Sequence, residues 1–142
     1  MISLLCISAG AVQTPPDLSK VQNVYVYNLE NDYVLYAKNE EDKIYPASTA
    51  KLMTGLLAVE YFNERYDKVI TVTKESLGKF QGKNLKIKDG EELTVEQLLY
   101  ATLCGGANDA ANILAYEIAG SHEEFLNMMN DKAREIGMEN TN

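Results

Sequence analysis

The sequence has few of the side chains that metal sites require. It contains two cysteines, Cys6 and Cys104, which lie far apart, and one histidine, His122. Because zinc sites draw three or four ligands from closely spaced positions, no metal site is predicted. Two buried, unpaired thiols are favoured over a Cys6–Cys104 disulfide. His122 is predicted to lie on the solvent side of a helix.

Positive charge and long apolar runs are scarce as well. Thirteen basic residues stand against 21 acidic residues, the net charge is −8, and no basic stripe is present. This charge disfavours nucleic acid and anionic membrane surfaces as partners. No apolar run approaches the roughly 20 residues that a membrane-spanning helix needs. The 46% of hydrophobic residues in a chain of 142 predicts one modest globular, water-soluble domain.

The first residues form a short apolar segment that ends in small side chains. Residues 2–12 are mostly apolar, and Ala9 and Ala11 form an Ala-x-Ala pattern. This pattern is typical of the end of a secretory signal, although no Lys or Arg precedes it. We therefore predict a signal-peptide remnant in residues 1–14 and a domain in residues 15–142. An ordinary buried N-terminal segment is the alternative.

Apolar periodicity predicts a mixed α/β chain. Val, Leu and Tyr enrichment predicts an antiparallel hairpin and two short strands, which cover residues 21–29, 33–38, 68–73 and 83–88. Helical spacing and capping residues predict four helices, which cover residues 47–63, 94–103, 108–119 and 121–136.

The most informative stretch is Pro46-Ala47-Ser48-Thr49-Ala50-Lys51, at the start of the first predicted helix. Residues three apart lie on one helical face, so Ser48 Oγ and Lys51 Nζ are expected within reach of each other. The start of a helix also directs free backbone N–H groups at whatever the Ser48 hydroxyl attacks. The pattern therefore predicts a serine nucleophile with a lysine base.

Ser-x-x-Lys alone is a weak motif, and this sequence contains it twice. The second copy, Ser76 to Lys79, includes Gly78 and lies in a polar stretch, where no rigid helix is expected to hold the pair together. The first copy follows a hairpin and a proline and precedes an amphipathic helix. We therefore assign the chemistry to Ser48 and Lys51 and interpret the second copy as coincidence.

The segment from Pro46 to Thr54, the hairpin before it and Ala107-Asn108-Asp109-Ala110-Ala111 together resemble the serine-type D-Ala-D-Ala carboxypeptidases. These S11-type peptidases are the low-molecular-mass penicillin-binding proteins, and the resemblance covers residues 21–142. It implies the α/β (α+β) penicillin-recognising fold that class A β-lactamases share. The fold is expected here in truncated form, as a β-hairpin and a helical subdomain without the later sheet strands. Residues 15–142 are then the N-terminal part of a catalytic domain.

By this resemblance, Ser48 is the nucleophile that forms an acyl-enzyme and releases terminal D-alanine, and Lys51 is its base. Asn108 binds the amide backbone of the substrate and orients Lys51, while the Ser48 backbone N–H supplies half of an oxyanion hole. The implied substrate is the peptidoglycan stem peptide ending in D-Ala-D-Ala, with β-lactams as covalent inhibitors. No cofactor is implied. The implied location is extracytoplasmic, in the bacterial cell envelope.

Two departures from the family pattern leave alternatives open. Gly106 stands where Ser-x-Asn has its serine, so the hydroxyl that passes a proton to the leaving group is absent. Lys-Thr-Gly does not occur in the 142 residues. Besides a carboxypeptidase part of weak or no activity, the alternatives are a β-lactamase-like hydrolase, a non-catalytic cell-envelope relative, and a structural domain with a coincidental motif. An unpaired sheet edge further predicts self-association.

Overall fold

The structure is a computed structural model, and it describes residues 17–141. It divides the chain into two compact units, with the boundary in the sequence between Tyr45 and Pro46, and each unit is described by itself. The predicted signal remnant in residues 1–14 lies outside the described residues, as does Cys6. The boundary between that remnant and the following domain stays a prediction.

The first unit is built on an antiparallel hairpin of β1 (Val24–Asn28) and β2 (Tyr33–Lys38). Asn28 closes the turn, because its Oδ1 accepts hydrogen bonds from the backbone N–H groups of Glu30 and Asn31 at 2.9 and 3.2 Å. The pairing register shifts once, within β1. The hairpin predicted from the sequence is confirmed, with a first strand shorter than expected.

The second unit combines helices with a second antiparallel pair of strands. Within the described residues its elements, in chain order, are a 3₁₀ turn (Ala47–Ala50), α1 (Lys51–Phe62), β3 (Val69–Thr71), α2 (Lys74–Leu77), β4 (Glu92–Thr94), α3 (Val95–Leu103), α4 (Asn108–Ala119) and α5 (His122–Glu135). Strands β3 and β4 pair with each other.

The core of the second unit lies between α1, α3 and α4. Its fully buried side chains include Phe62 of α1, Leu98 of α3 and Ile113 of α4. Burial of each such side chain contributes roughly 1.5–3 kcal/mol. Gly55 allows α1 to approach α3 closely, since a Cβ there would lie 2.9 Å from a carbon of the Leu103 side chain. This packing holds the first turns of α1 and α4, which carry the candidate residues Lys51 and Asn108, and the 3₁₀ turn that carries Ser48 leads directly into α1.

Local signals account for most of the helix boundaries. The capping box predicted for α3 is present: Thr94 Oγ1 accepts from the Gln97 N–H at 3.2 Å, and Gln97 Oε1 accepts from the Thr94 N–H at 2.8 Å. Gly120, with φ of 75°, ends α4 in the left-handed conformation that favours glycine. The first predicted helix is found too, although its first four residues form the 3₁₀ turn.

The strand predicted at residues 83–88 is wrong. These residues lie outside any strand, and Lys86 has φ of 60°. The backbone N–H groups of Leu85 and Ile87 donate to the Asp109 carboxylate, at 3.0 and 3.1 Å, instead of to a neighbouring strand. The Asp109 carboxylate, which is distant in sequence, therefore accepts the hydrogen bonds that a neighbouring strand was expected to accept.

Two further predictions about single residues are wrong. His122 is partly buried rather than on the solvent side, and its Nε2 lies 3.2 Å from the carbonyl oxygens of Ser76 and Asn112. Because both partners are acceptors, Nε2 carries the proton, and the ring links α2 to α4. Cys104 is exposed rather than buried, because it follows α3 on the surface of the unit.

Candidate active site

Ser48 lies in the 3₁₀ turn that leads into α1, and its side chain is exposed. Ala47 before it has φ of 48°, a left-handed conformation that costs a residue other than glycine about 1–2 kcal/mol. The carbonyl oxygen of Pro46 closes the turn, since it accepts from Thr49 N–H at 3.1 Å and Thr49 Oγ1 at 2.6 Å. Backbone strain concentrates at functional sites, where the surrounding structure holds it. The strained turn presents the Ser48 hydroxyl.

Lys51 is the first residue of α1 and lies beside Ser48. Its Nζ is 3.5 Å from Ser48 Oγ, at the outer limit of a hydrogen bond. Hydrogen bonds between a nucleophile and its base are often long without substrate and shorten in the complex. In this arrangement a neutral amine can take the hydroxyl proton. The structure therefore brings together the two residues whose spacing suggested a reactive pair.

Asn108 begins α4 and donates two hydrogen bonds to the chain segment before α4. Its backbone N–H donates to the carbonyl oxygen of Lys83 at 2.9 Å, and its Nδ2 donates to the carbonyl oxygen of Gln81. Across residues 17–141, its side-chain amide has no hydrogen bond to Ser48 or Lys51. Orientation of Lys51 by Asn108 therefore stays a prediction.

Helices α1 and α4 contact each other in the second unit. One helical turn beyond the candidate residues Lys51 and Asn108, Thr54 of α1 and Asn112 of α4 line the same cavity, whose volume is about 480 Å³. Residues three or four positions apart share a helix face. Lys51 and Asn108 therefore extend the two faces that meet at this cavity.

Gly106 occupies the position where the resemblance leads us to expect a serine. Its φ is 67°, which favours glycine. The nearest heavy atom to a Cβ placed there is Lys83 Cδ, at 3.8 Å. The position therefore has room for a small side chain, and the aliphatic part of Lys83 lies beside it.

Asp109 is a site neighbour that reasoning from the sequence missed. It is fully buried, and its carboxylate accepts hydrogen bonds from the backbone N–H groups of Leu85, Ile87 and Ala110 at 3.0 to 3.2 Å. Its place in the first turn of α4 also puts it at the positive end of the helix dipole. Hydrogen bonds to a charged group contribute about 1.5–3 kcal/mol each. Helix-start signals indicated the residue, but not its distant donors.

The second Ser-x-x-Lys copy has a different structure. Ser76 is buried, and its hydroxyl accepts from the Thr73 N–H at 3.0 Å and donates to the Thr73 carbonyl oxygen at 2.9 Å. Helix α2 ends at Leu77, two residues before Lys79. The Ser76 hydroxyl is therefore engaged in capping a short helix.

Within residues 17–141, no three His, Cys, Asp or Glu side chains are grouped so that they could hold a metal ion. In the same range, every helix is too short or too polar to cross a bilayer.

The fold of the chain matches that of solved penicillin-binding proteins. The crystal structure of the D-alanyl-D-alanine carboxypeptidase DacD from Francisella tularensis matches with a TM-score of 0.77 and 27% identity, over 84% of this chain and 30% of that chain. Penicillin-binding protein 5 from Haemophilus influenzae matches with a TM-score of 0.80 over 92% of this chain and 39% of that chain, at 24% identity. The predicted α/β fold is confirmed.

The sequence model of peptidase family S11, D-alanyl-D-alanine carboxypeptidase, matches residues 11–142. The chain therefore belongs to this family. It is 39% identical to D-alanyl-D-alanine carboxypeptidase DacF of Bacillus subtilis over 112 residues. This match covers 76% of this chain and 28% of DacF. It is also 32% identical to the D-alanyl-D-alanine endopeptidase of Haemophilus influenzae over 127 residues. That match covers 89% of this chain and 43% of the endopeptidase. The chain thus spans less than half the length of these relatives.

Proposed function

We propose that this chain carries the nucleophile and base of a serine-type D-alanyl-D-alanine carboxypeptidase, with Ser48 as the acylated residue. The observation that carries the proposal is the 3.5 Å separation of Lys51 Nζ and Ser48 Oγ at the start of α1. Family membership supports the reaction class, because the family is described as D-alanyl-D-alanine carboxypeptidase.

The proposed acylation begins with the transfer of the Ser48 hydroxyl proton to neutral Lys51. The oxygen attacks the carbonyl carbon of the penultimate D-alanine, and the bond from that carbon to the nitrogen of the terminal D-alanine breaks. The leaving amine takes the proton that Lys51 received from Ser48, and free D-alanine departs. Water then hydrolyses the Ser48 ester, which releases the shortened peptide and restores the hydroxyl. Asn108 is proposed to bind the amide backbone of the acyl donor.

Gly106 favours a second candidate, a penicillin-binding relative in which Ser48 is acylated slowly and D-alanine is therefore released slowly. At this position the side chain expected to relay a proton to the leaving group is absent. General acid catalysis typically contributes about 10²–10⁴ in rate, so its loss leaves the nucleophile in place while it slows turnover.

We further propose an extracytoplasmic site of action in the bacterial cell envelope. The proposed substrate is a peptidoglycan stem peptide that ends in D-Ala-D-Ala, and β-lactams are the proposed covalent inhibitors. Both two-stranded sheets have outer edges without a neighbouring strand among the described residues. Such edges can pair with another chain, which supports self-association as a further proposal, testable by size-exclusion chromatography.

The test is incubation with a fluorescent penicillin, followed by a denaturing gel. We expect covalent label on the wild-type chain and none on Ser48→Ala. Ser76→Ala is the matched control, because it removes the serine of the other motif copy, and its folded fraction should label normally. Label that survives Ser48→Ala would contradict the assignment. The rate of D-alanine release from a tripeptide ending in D-Ala-D-Ala distinguishes the carboxypeptidase from the second candidate, because only the carboxypeptidase releases D-alanine rapidly.

A further inference from the structure

Residues 81–87 cross the first turn of α4 and are bonded to it at both ends. We call them the anchored segment. At one end, two of its carbonyl oxygens accept hydrogen bonds from Asn108. At the other end, two of its backbone N–H groups donate to the buried carboxylate of Asp109. Two consecutive residues of α4 therefore hold one segment.

The conformation of Lys86 makes the Asp109 contacts possible. Its φ of 60° turns the chain so that the N–H groups of Leu85 and Ile87 reach the same oxygen, Asp109 Oδ2, at 3.0 and 3.1 Å. Backbone N–H groups that converge in this way form anion-binding concavities in proteins. Here the anion is a fully buried side chain of the protein itself.

We propose that Asp109 is a positioning residue of the acyl-transfer site, which holds the anchored segment in place and through it fixes the carboxamide of Asn108. This inference rests on the proposed function, in which Asn108 binds the amide backbone of the acyl donor. The Asn108 Nδ2 donates to the carbonyl oxygen of Gln81, so the direction of the carboxamide depends on the segment. A substrate-binding group that is free to rotate orients a substrate less well.

A neutral amide cannot replace the Asp109 carboxylate. The backbone groups that surround it, from Leu85, Ile87 and Ala110, are all donors. In an asparagine, one of the two oxygens becomes an NH2 donor, which faces a backbone N–H in either orientation. Asp109→Asn removes the charge and sets an NH2 group against either the Ala110 N–H or the N–H groups of Leu85 and Ile87, so it is expected to weaken the hold on that end of the segment without a change in volume.

An independent pair of variants acts on the segment from the solvent side. Lys86 is exposed and has positive φ, a conformation that a β-branched residue strongly disfavours. Lys86→Val should free the segment, while Lys86→Gly removes the same charge and keeps the conformation. Because this pair of variants leaves the core intact, it tests the positioning role of the anchored segment even where Asp109→Asn does not fold.

The first measurement is hydrogen exchange at the backbone amides of Leu85 and Ile87. In Asp109→Asn and in Lys86→Val, exchange at both amides should speed up by about tenfold or more, while amides in the core of α4 keep their rates. Lys86→Gly should match the wild type. Asp89→Asn, the same substitution at an exposed residue near the segment, should match it as well. Unchanged exchange in Asp109→Asn or Lys86→Val would overturn the anchoring.

The second measurement is the rate of labelling of the folded chain by a fluorescent penicillin. We expect Asp109→Asn and Lys86→Val to label about tenfold or more slowly than the wild type. In the background of Asn108→Ala, adding Asp109→Asn should change the rate by less than about twofold, because both changes act through one carboxamide. A merely structural effect of Asp109 would slow labelling equally in both backgrounds.

The outcomes separate this inference from the function on which it rests. A wild-type chain that takes no label contradicts the proposed function and the positioning role together. A labelled wild type, with Asp109→Asn labelled at the same rate, contradicts the positioning role alone. Equal slowing by Asp109→Asn with and without Asn108 contradicts action through that side chain.

Discussion

Restoring a hydroxyl at position 106 tests how the missing serine affects the site. Gly106→Ser places a side chain where the nearest heavy atom, Lys83 Cδ, is 3.8 Å from the Cβ position, so no clash is expected. The cost is the left-handed backbone, with φ of 67°, which amounts to about 1–2 kcal/mol for a residue other than glycine. For a chain of this size, the thermal midpoint should fall by roughly 3–10 °C.

The same variant should accelerate the chemistry, because the hydroxyl can pass a proton to the leaving nitrogen. The matched control is Gly106→Ala, which carries the same backbone cost and no hydroxyl. We expect Gly106→Ser to react with a fluorescent penicillin about tenfold or more faster than Gly106→Ala, in stopped-time labelling normalised to folded protein. Equal rates for the two variants would refute the role given to the hydroxyl. An unchanged thermal midpoint would refute the assigned backbone cost.

Three further predictions concern stability, each measured as a thermal midpoint. Gly78→Ala should destabilise by about 2–4 kcal/mol, because φ is 59° and the new Cβ would lie 2.6 Å from His122 Cε1. Gly90→Ala, with φ of 85° and open space around it, should lose only the backbone cost of about 1–2 kcal/mol. Equal losses in the two variants would contradict the contact with His122. Thr102→Val should raise the midpoint, because the buried hydroxyl finds no hydrogen-bond partner in residues 17–141 and burying it unpaired costs about 1–3 kcal/mol; a lower midpoint would contradict this. Hydrogen bonds to Glu135 and Glu60 raise the pKa of Lys132 above its ordinary value of 10.5, so the contribution of Lys132 to stability is complete below pH 10.5 and is lost as the pH rises further. Over this alkaline range the thermal midpoint of Lys132→Met should fall less than that of the wild type, and parallel curves of midpoint against pH would contradict the pairing.

The features that the sequence predicted correctly are those that depend on neighbours in the chain. The hairpin follows from alternation and a turn, and α3 follows from a capping box between Thr94 and Gln97. The closeness of Ser48 and Lys51 follows from a spacing of three residues at the start of a helix. The family followed from motifs around these residues and Asn108.

The features that the sequence did not predict depend on distant partners. Two of the three backbone donors of Asp109 lie 22 and 24 residues before it, and alternating apolar residues predicted a strand there instead. The partners of His122 lie 10 and 46 residues away, so its partial burial had no local signal. The positive φ of Ala47 is likewise set by how the turn before α1 is held, since alanine has no preference for that conformation.

The most direct test of the account is the mass and position of the adduct formed with benzylpenicillin. The chain is incubated with the drug, and the intact protein and its proteolytic peptides are then analysed by mass spectrometry. We predict one added penicillin per chain, located on Ser48, and no addition to the Ser48→Ala variant. An adduct on another residue, or a folded wild-type chain without an adduct, would contradict the assignment of Ser48 as the nucleophile.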